Sequence, residues 1–244
     1  MDAAIHVTEL KAARGAYWLI EAFDLFRRRP LAWIGLCSGW LVITFGLILV
    51  PFIGGVIANF LQPVFFASFA IAAFRQVAGE PVIMGDLFTG FRRNPRALIN
   101  LGAVLLMAQI LIFILMWFLG LPLGPPGEQN FTMADYLEAL KGKEWILVVG
   151  FVLTVAVKSA LWFAPPLIAF HDMSLTQAIR WSVYAAISNL APMIVYGILL
   201  GAAMLAGLVP WGLGLFLVIP VMAISTFIGY REVFEAGRTP LSTE

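Results

Sequence analysis

The chain has 244 residues, of which 61% are hydrophobic and 12% charged, with a formal net charge of +1 and a mean hydropathy of +0.94. Soluble domains carry about 25% charged residues, so this composition excludes an ordinary soluble core, and it also excludes a disordered chain. The lack of a basic tract excludes nucleic acid as a partner. We therefore expect a multi-pass membrane protein.

An amphipathic segment at residues 17–29 precedes the first apolar run. Trp18, Ala22 and Leu25 share one helical face, and the charged residues face the other way. The segment ahead of the apolar run is too long and too acidic for the n-region of a cleavable signal peptide. We predict a cytoplasmic N-terminal segment, 1–30, followed by a retained signal-anchor helix.

The apolar runs predict an all-α, polytopic membrane fold, because a helix needs about 20 apolar residues to cross a bilayer. Six spans in three hairpins are expected, at residues 31–50, 53–77, 97–119, 145–170, 190–209 and 211–230. Short turns near Pro51 and Pro210 close the first and last hairpins. An outer loop, 120–144, closes the middle one and contains a short predicted helix that Thr132 and Asp135 cap. The whole chain, 1–244, forms a single membrane domain.

The distribution of Lys and Arg predicts the orientation. Only Lys141 and Lys143 lie on the side of the outer loop. Twelve cationic residues lie on the other side: Lys11, Arg14, Arg27, Arg28, Arg29, Arg75, Arg92, Arg93, Arg96, Arg180, Arg231 and Arg238. By the positive-inside rule, we expect both termini in the cytoplasm and the chain in a bacterial inner (cell) membrane.

An amphipathic stretch precedes each hairpin, at 17–29, 86–94 and 175–189, and ends near Pro30, Pro95 or Pro192. This recurrence indicates either a threefold internal repeat or the loose periodicity of any six-span protein. The second stretch places Leu87, Phe88 and Phe91 on its apolar face, opposite Asp86. The third places Leu175, Ile179, Val183 and Ile187 on its apolar face, and Ser174 with Gln177 forms a capping box at its start.

These stretches are predicted to be cytoplasmic interfacial helices with inserted aromatic faces. A cation near anionic lipid contributes about 1 kcal/mol. The candidate lipid-headgroup contacts are Arg27, Arg28, Arg29, Arg92, Arg93, Arg96 and Arg180. Their function is lipid sensing or protein docking, or simple anchoring of the bundle.

Lys158 is the one charged side chain in the interior of the predicted spans, about halfway along 145–170. A lysine at this depth costs about 3 kcal/mol on insertion scales. It either contacts a substrate anion or a lipid phosphate or gates a pathway, or it donates to carbonyls freed by Pro165 and Pro166 or to a nearby amide. The candidate midplane polar site comprises Lys158, Asn59, Gln62, Gln109 and Asn100, whose amides alternatively join neighbouring helices.

No sequence pattern indicates catalysis or a metal site. The only histidines, His6 and His171, are far apart, Cys37 is the single cysteine, and no span contains a carboxylate. We therefore expect no enzyme, no cofactor and no metal. The acids of the basic side should pair with nearby arginines, Asp24 with Arg28 at i, i+4.

Small-residue spacing in two spans indicates close helix packing. Gly35 and Gly39 in the first span, and Gly197 and Gly201 in the fifth, have the small-xxx-small pattern. We expect both pairs to pack inside the protein, with oligomerisation as the alternative.

Several motifs carry a family resemblance. They are FDLFRRRP at 23–30, GEP at 79–81, GDLFTGFRR at 85–93, FAPPLIAFH at 163–171 and YREVF at 230–234. With these motifs the chain resembles an uncharacterised family of six-span bacterial inner-membrane proteins, found mainly in proteobacteria. It is more distantly similar to YciC-type proteins and to the membrane domain of some glycerophosphodiester phosphodiesterases. The resemblance implies location and topology. It implies no phosphodiesterase activity, because the chain lacks that catalytic domain.

The first functional hypothesis is a non-enzymatic integral inner-membrane protein that interacts with or organises lipids or other membrane proteins. Its expected partners are membrane lipids, with other membrane proteins or a second copy of the chain as further ones. The alternative hypothesis is a small-solute transporter or channel with a midplane site around Lys158.

Overall fold

The structure, a computed structural model, describes residues 6–122 and 132–235, and within these ranges it is all-helical. The α-helices are α1 (Arg14–Phe26), α2 (Pro30–Ile48), α3 (Gly54–Val77), α4 (Pro95–Phe118), α5 (Met133–Ala139), α6 (Glu144–Ala160), α7 (Ala164–His171), α8 (Leu175–Ser188), α9 (Leu190–Leu208) and α10 (Leu215–Glu235). A 3-10 helix, Met84–Arg92, lies between α3 and α4.

Six segments of the described chain are long and apolar enough to cross a membrane, with mean hydropathies from 1.5 to 2.5. They are Pro30–Ile48, Gly54–Val77, Pro95–Phe118, Glu144–His171, Leu190–Leu208 and Leu215–Phe234. This confirms the predicted polytopic α-helical class. Pro30 and Pro95 stand at the first turns of α2 and α4, where a missing N–H leaves no bond unmade.

Two spans differ from their predicted form. The fourth is broken, because α6 ends at Ala160 and α7 begins at Ala164, just before two prolines that donate no N–H. The sixth begins at Leu215 rather than at residue 211. Trp211 and Gly212 have positive φ angles of 55° and 79°, which no α-helix accommodates.

The bundle has two ends, which we name by what they carry. The terminal face carries residues 6–29, the 3-10 helix, α8 and the end of α10. The loop face carries the turns 49–53 and 209–214 and the described parts of the long loop, 119–122 and 132–143. The short helix α5 in that loop begins at a Thr132–Asp135 capping box, as predicted, and the predicted Ser174–Gln177 box also opens α8.

The hydrophobic core lies in the half of the bundle next to the terminal face. In α3 the buried residues run from Pro63 to Gln76, with Gly54 the exception, and in α7 they run from Ala164 to Ala169. The α3 and α10 spans are 56% and 67% buried, against 17–22% for the other four, so α3 and α10 are the central helices. Toward the loop face the helices are mostly exposed, and the bundle opens.

The 3-10 helix, α8 and α1 each lie just before a hairpin in the chain, and we call them the connecting helices. Each packs against the preceding hairpin, and for α1 this is the third hairpin at the other end of the chain. The 3-10 helix packs on α2 and α3, α8 packs on α6 and α7, and α1 packs on α9 and α10. Two asparagines hold these junctions. Asn94 Nδ2 donates to Met173 O (3.3 Å), and Asn189 binds Leu10 N (2.9 Å) and Thr8 O (3.1 Å). The chain's N-terminal segment thus closes a ring of three hairpins.

The predicted insertion of aromatic faces into the headgroup region is wrong for α1. The face with Trp18 and Ala22 is buried, but it packs against the bundle, where the Trp18 ring contacts Phe163 and Tyr196. The membrane does not reach this face. Burial of apolar surface favours both insertion into the membrane and packing against the bundle. The bundle provides the denser packing.

The apolar faces predicted for the other two connecting helices are also corrected. In the 3-10 helix Asp86, Leu87 and Gly90 are buried and Phe88 is exposed, because side chains recur every three residues there. In α8 the fully buried residues are small ones: Ala178, Ser182, Ala185 and Ala186. Small side chains let α8 approach α6 and α7 closely, while Ile187 of the predicted face remains exposed.

The two glycine pairs have different surroundings. A Cβ on Gly39 would lie 2.9 Å from Met84 Cε, and one on Gly35 would lie 3.6 Å from Met84 Sδ, so this pair packs inside the protein as predicted. A Cβ on Gly197 or Gly201 would meet no atom within 4 Å. The prediction of internal packing was wrong for the second pair.

Candidate functional site

A network of ion pairs occupies the middle of the terminal face. Arg14 on α1 pairs with Glu232 on α10 and with Glu21 (2.8 Å), and the Trp18 indole N–H donates to Glu232 (2.7 Å). Arg231 lies 3.9 Å from Glu21. The hydrogen bond to Glu232 raises the pKa of the Arg14 guanidinium, so the charge persists.

A second network joins α3 to the 3-10 helix. Arg75 pairs with Glu80 (2.6 Å) and with Asp86, whose other carboxylate oxygen accepts from Ile83 N (2.9 Å). Asp86 is 1% exposed, because Arg75 and this backbone group supply the partners that a buried carboxylate needs. The predicted pairing of the acids with arginines therefore holds for Glu80 and Asp86.

Asp24 pairs with Arg27 at 2.9 Å, three residues on, and not with Arg28 as predicted. The i, i+3 partner is equally within reach on a helix surface. Arg27 is thus the one predicted headgroup contact that already has an acid partner, although its side chain remains 66% exposed.

The remaining predicted headgroup contacts are exposed and have no acid partner among the described residues. They are Arg28, Arg29, Arg92, Arg93, Arg96 and Arg180. Five acids of the terminal face are committed to Arg14, Arg27, Arg75 and Arg231, and they are Glu21, Asp24, Glu80, Asp86 and Glu232. Glu9 and Asp172 form no ion pair among the described residues, yet the described cations of this face still outnumber its acids.

Exposed apolar side chains lie beside these arginines. Tyr17, Ile20 and Phe23 form the outward face of α1, and Phe88 and Tyr184 are exposed on the 3-10 helix and α8. The sequence predicted a single apolar face on α1, and this second face was not predicted. Its signal is the i, i+3, i+6 spacing of the three α1 residues.

A cavity of about 220 Å³ lies between α2, α3 and α6, in the open half of the bundle. Its lining residues are Trp40, Thr44, Ile48, Gly55, Ala58, Asn59, Gln62 and Lys158. The structure therefore brings Lys158 together with Asn59 and Gln62, three of the five candidates for a midplane site. It adds Trp40 and Thr44 of α2, which are one helical turn apart and carried no distinguishing sequence signal.

The Lys158 ammonium has no hydrogen bond or ion pair to any described residue. The alternative prediction was donation to carbonyls freed by Pro165 and Pro166, and no such bond occurs among the described residues, where other groups bond two carbonyls at the helix break. Ser182 Oγ donates to Ala160 O (2.8 Å), and Ala164 N donates to Leu161 O (3.2 Å). Ser182 Oγ also accepts from Phe163 N (3.1 Å).

The other two candidate amides lie away from the cavity. Gln109 Nε2 on α4 donates to Thr154 Oγ1 on α6 at 3.5 Å, a weak bond between helices. Asn100 is exposed on α4. Within the cavity, Asn59 Nδ2 donates to Gly55 O (2.8 Å), and the Gln62 amide has no partner among the described residues.

No group of three or more His, Cys, Asp or Glu that could hold a metal ion occurs in residues 6–122 and 132–235. His171 Nε2 lies 2.8 Å from the hydroxyl of Tyr230. That pair joins α7 to α10 at the end of the core.

Six apolar spans in an all-helical bundle define the chain as a polytopic α-helical membrane protein. The chain is similar to a probable inner membrane protein of Burkholderia thailandensis, with 29% identity over 209 residues, 80% of this chain and 75% of the relative. No protein-family model matches the chain, and no solved structure matches it. The spans and this likeness together support a multi-pass location in a bacterial inner membrane.

Proposed function

We propose that the chain is a non-enzymatic inner-membrane protein that binds and organises anionic lipids through its terminal face. One observation carries this proposal: the acids at the centre of that face are consumed in ion pairs, while six arginines around them are exposed without an acid partner. A protein that only needed solubility at this face would intersperse both signs of charge.

The type of cation favours phosphate as the ligand. Lys11 is the only lysine among the described cations of the terminal face, and all the others are arginines. A guanidinium presents a planar fork of donors that binds two phosphate oxygens at once, whereas an ammonium acts as a point charge. At about 1 kcal/mol for each cation near an anionic leaflet, six arginines supply several kcal/mol.

This proposal places the terminal face in the cytoplasm. The excess of Lys and Arg in its short segments supports that orientation by the positive-inside rule. The anionic lipids of the cytoplasmic leaflet then face the unpaired arginines. A reporter fused after α10 should read cytoplasmic, and a reporter in the loop between α4 and α5 should read periplasmic; the reverse pattern would reject the orientation.

The test removes one arginine patch and compares lipids. The variant Arg92→Gln/Arg93→Gln/Arg96→Gln should retain fewer anionic lipids through purification, measured by native mass spectrometry. Its melting temperature in phosphatidylglycerol nanodiscs should fall toward the value in phosphatidylcholine nanodiscs. The matched control, Lys141→Gln/Lys143→Gln, removes two exposed cations from the loop face and should change neither result. Equal lipid retention by both variants would contradict the proposal.

A small-solute transporter or channel is the second candidate function, favoured by the cavity at Lys158. For a transporter, a Lys158→Met variant that inserts and folds normally should lose uptake or efflux of its solute. Unchanged flux in that variant would remove the candidate.

A further inference from the structure

We propose that the cavity between α2, α3 and α6 is a binding site for a small anionic group, a phosphate or a carboxylate, with Lys158 as its cation. This inference concerns the open half of the bundle and does not depend on lipid binding at the terminal face. It assigns a ligand chemistry to side chains that the fold places together and leaves without partners.

Charge balance is the first argument. The Lys158 ammonium lies about 13 residues, or roughly 20 Å of helix, from the terminal end of its span. No Asp or Glu occurs in the interior of any span, so the spans supply no counter-charge at this depth. Because an unpaired charge is costly within a bilayer, an anion bound from outside the chain would stabilise the Lys158 ammonium.

The donor set is the second argument. Gln62, Thr44 and Trp40 line the cavity, and their amide, hydroxyl and indole N–H have no hydrogen bond to any described residue. Asn59 donates one amide hydrogen to Gly55 O and has a second one available for a ligand. The lining therefore offers one cation and several neutral donors, and it contains no carboxylate. Such a set of donors stabilises an anion, and the lining carries no negative charge that would repel the anion.

The size of the cavity suits a small ligand. Its volume of about 220 Å³ lies below the ~300 Å³ at which pockets for drug-sized ligands begin. The site therefore accommodates a single phosphate or carboxylate. Ile48 and Gly55 of the lining lie beside the hairpin turn, so the cavity extends toward the loop face.

The anion has two possible sources, a free solute or the headgroup of a lipid. The experiment uses the full-length protein in phosphatidylcholine nanodiscs and titrates three probes: sodium phosphate, dihexanoyl phosphatidic acid and dihexanoyl phosphatidylcholine. Binding is measured as the saturable rise in melting temperature, from which a dissociation constant follows. We expect at least one of the two anions to bind and the zwitterion to have no saturable effect.

Variants then test the residues. Lys158→Met should weaken binding of that anion by about tenfold or more, since a hydrogen bond to a charged group is lost, and Lys158→Arg should retain it. Gln109→Leu removes an amide outside the cavity and should bind like the wild type. If Lys158→Met does not fold, Gln62→Leu serves instead and should weaken binding several-fold.

The outcomes are decisive. Binding of phosphatidic acid alone assigns the site to a lipid headgroup, and binding of inorganic phosphate assigns it to a free anion; both support the proposal when Lys158→Met loses them. No binding of either anion to the wild type, or equal binding by Lys158→Met, would overturn it. The triple arginine-to-glutamine variant of the terminal face should bind normally, which separates this site from the surface arginines.

Discussion

At the scale of single residues, buried polar side chains determine which helices meet. Gln76 is fully engaged: its Oε1 accepts from the Trp33 indole N–H (2.6 Å) and its Nε2 donates to Leu25 O (2.8 Å). One amide thereby joins the start of α2, the end of α3 and the end of α1. Both partners are themselves buried, so neither has water as a substitute.

Gln76→Leu should destabilise the protein by about 1–3 kcal/mol, because it strands the Trp33 N–H and the Leu25 carbonyl inside the core. Unfolding of the purified protein by heat or denaturant measures the loss. Gln109→Leu is the control, since its exposed amide makes a single long bond, and it should change stability by less than about 0.5 kcal/mol. Equal stability of the two variants would show that the Gln76 bonds contribute nothing.

The sequence identified some site residues and missed others for a physical reason. Lys158 was found because a charge within an apolar span has no ordinary explanation. Trp40 and Thr44 were missed, because an aromatic and a hydroxyl in a span are common and nothing in the sequence shows which side of α2 meets α3 and α6. Gln109 has the same chemistry as Gln62 but lies on a different helix, outside the cavity.

At the scale of elements, close backbone contacts hold the connecting helices in place. Gly15 on α1 rests against the backbone of α9, where an added Cβ would overlap the carbonyl of Pro192. The buried face of α1 then continues through Trp18, Ala22 and Leu25. The sequence predicted this face well, but its partner, the third hairpin, follows about 175 residues later and left no local signal.

Gly15→Ala should push α1 away from α9 and lower the melting temperature by several degrees, because backbone on both sides prevents the new methyl group from finding space. Thermal unfolding in nanodiscs measures the change. Gly197→Ala, in α9 itself, adds a methyl group where no atom lies within 4 Å and should be neutral. If both variants melt with the wild type, the α1–α9 contact does not exist as described.

The capping box of α5 should make that helix sensitive to acid. The Thr132 N–H donates to the Asp135 carboxylate (2.8 Å), which lowers the pKa of Asp135. A lowered pKa means that the stabilisation is present above the ordinary value of about 3.9 and is lost as the pH falls through the folded value. The protection of the α5 amides, measured by mass spectrometry as exchange relative to the intrinsic rate at each pH, should fall over that window. Asp135→Asn should remove the pH dependence, and an unchanged profile would contradict the cap.

At the scale of the whole molecule, the ring of three hairpins closes through Asn189. This side chain is fully buried and binds Leu10 N, Thr8 O and Ala185 O, so it holds the N-terminal segment against the third hairpin. Asn94 occupies the corresponding position before the second hairpin and binds Met173 O. These two junctions are consistent with the threefold internal repeat that the sequence suggests, which stays a prediction.

Asn189→Ala should release the N-terminal segment from the third hairpin. Two half-buried backbone groups, Leu10 N–H and Thr8 C=O, would lose their partner, so we expect destabilisation of about 1–2 kcal/mol and faster proteolysis within residues 6–13. Limited proteolysis of the folded protein gives the measurement. The control Asn94→Ala loses only the longer hydrogen bond to Met173 O and should release no N-terminal fragment. If both variants are cut alike, Asn189 does not hold the N-terminal segment in place.

Hydropathy predicted the six spans because the length of an apolar run directly reports the bilayer thickness. Hydropathy did not predict that the fourth span is interrupted at Leu161–Phe163. It also did not predict that the helices are more exposed toward the loop face. Those features depend on which side of each helix is buried, and in lipid both sides are apolar. In α2 and α4 apolar residues occur on every side of the helix, so the sequence does not show which side packs against the protein and which faces lipid.

An anion reaches Lys158 only if water enters the open half of the bundle, and labelling of this position measures that access. Lys158→Cys in a Cys37→Ser background is treated with a small, water-soluble thiol reagent added separately to each side of oriented membranes. We expect labelling from the side of the loop face and protection on the side of the terminal face, where the core is closed. A folded protein that is not labelled from the loop side would show that the cavity is dry or closed, and would contradict both the open bundle and the anion site.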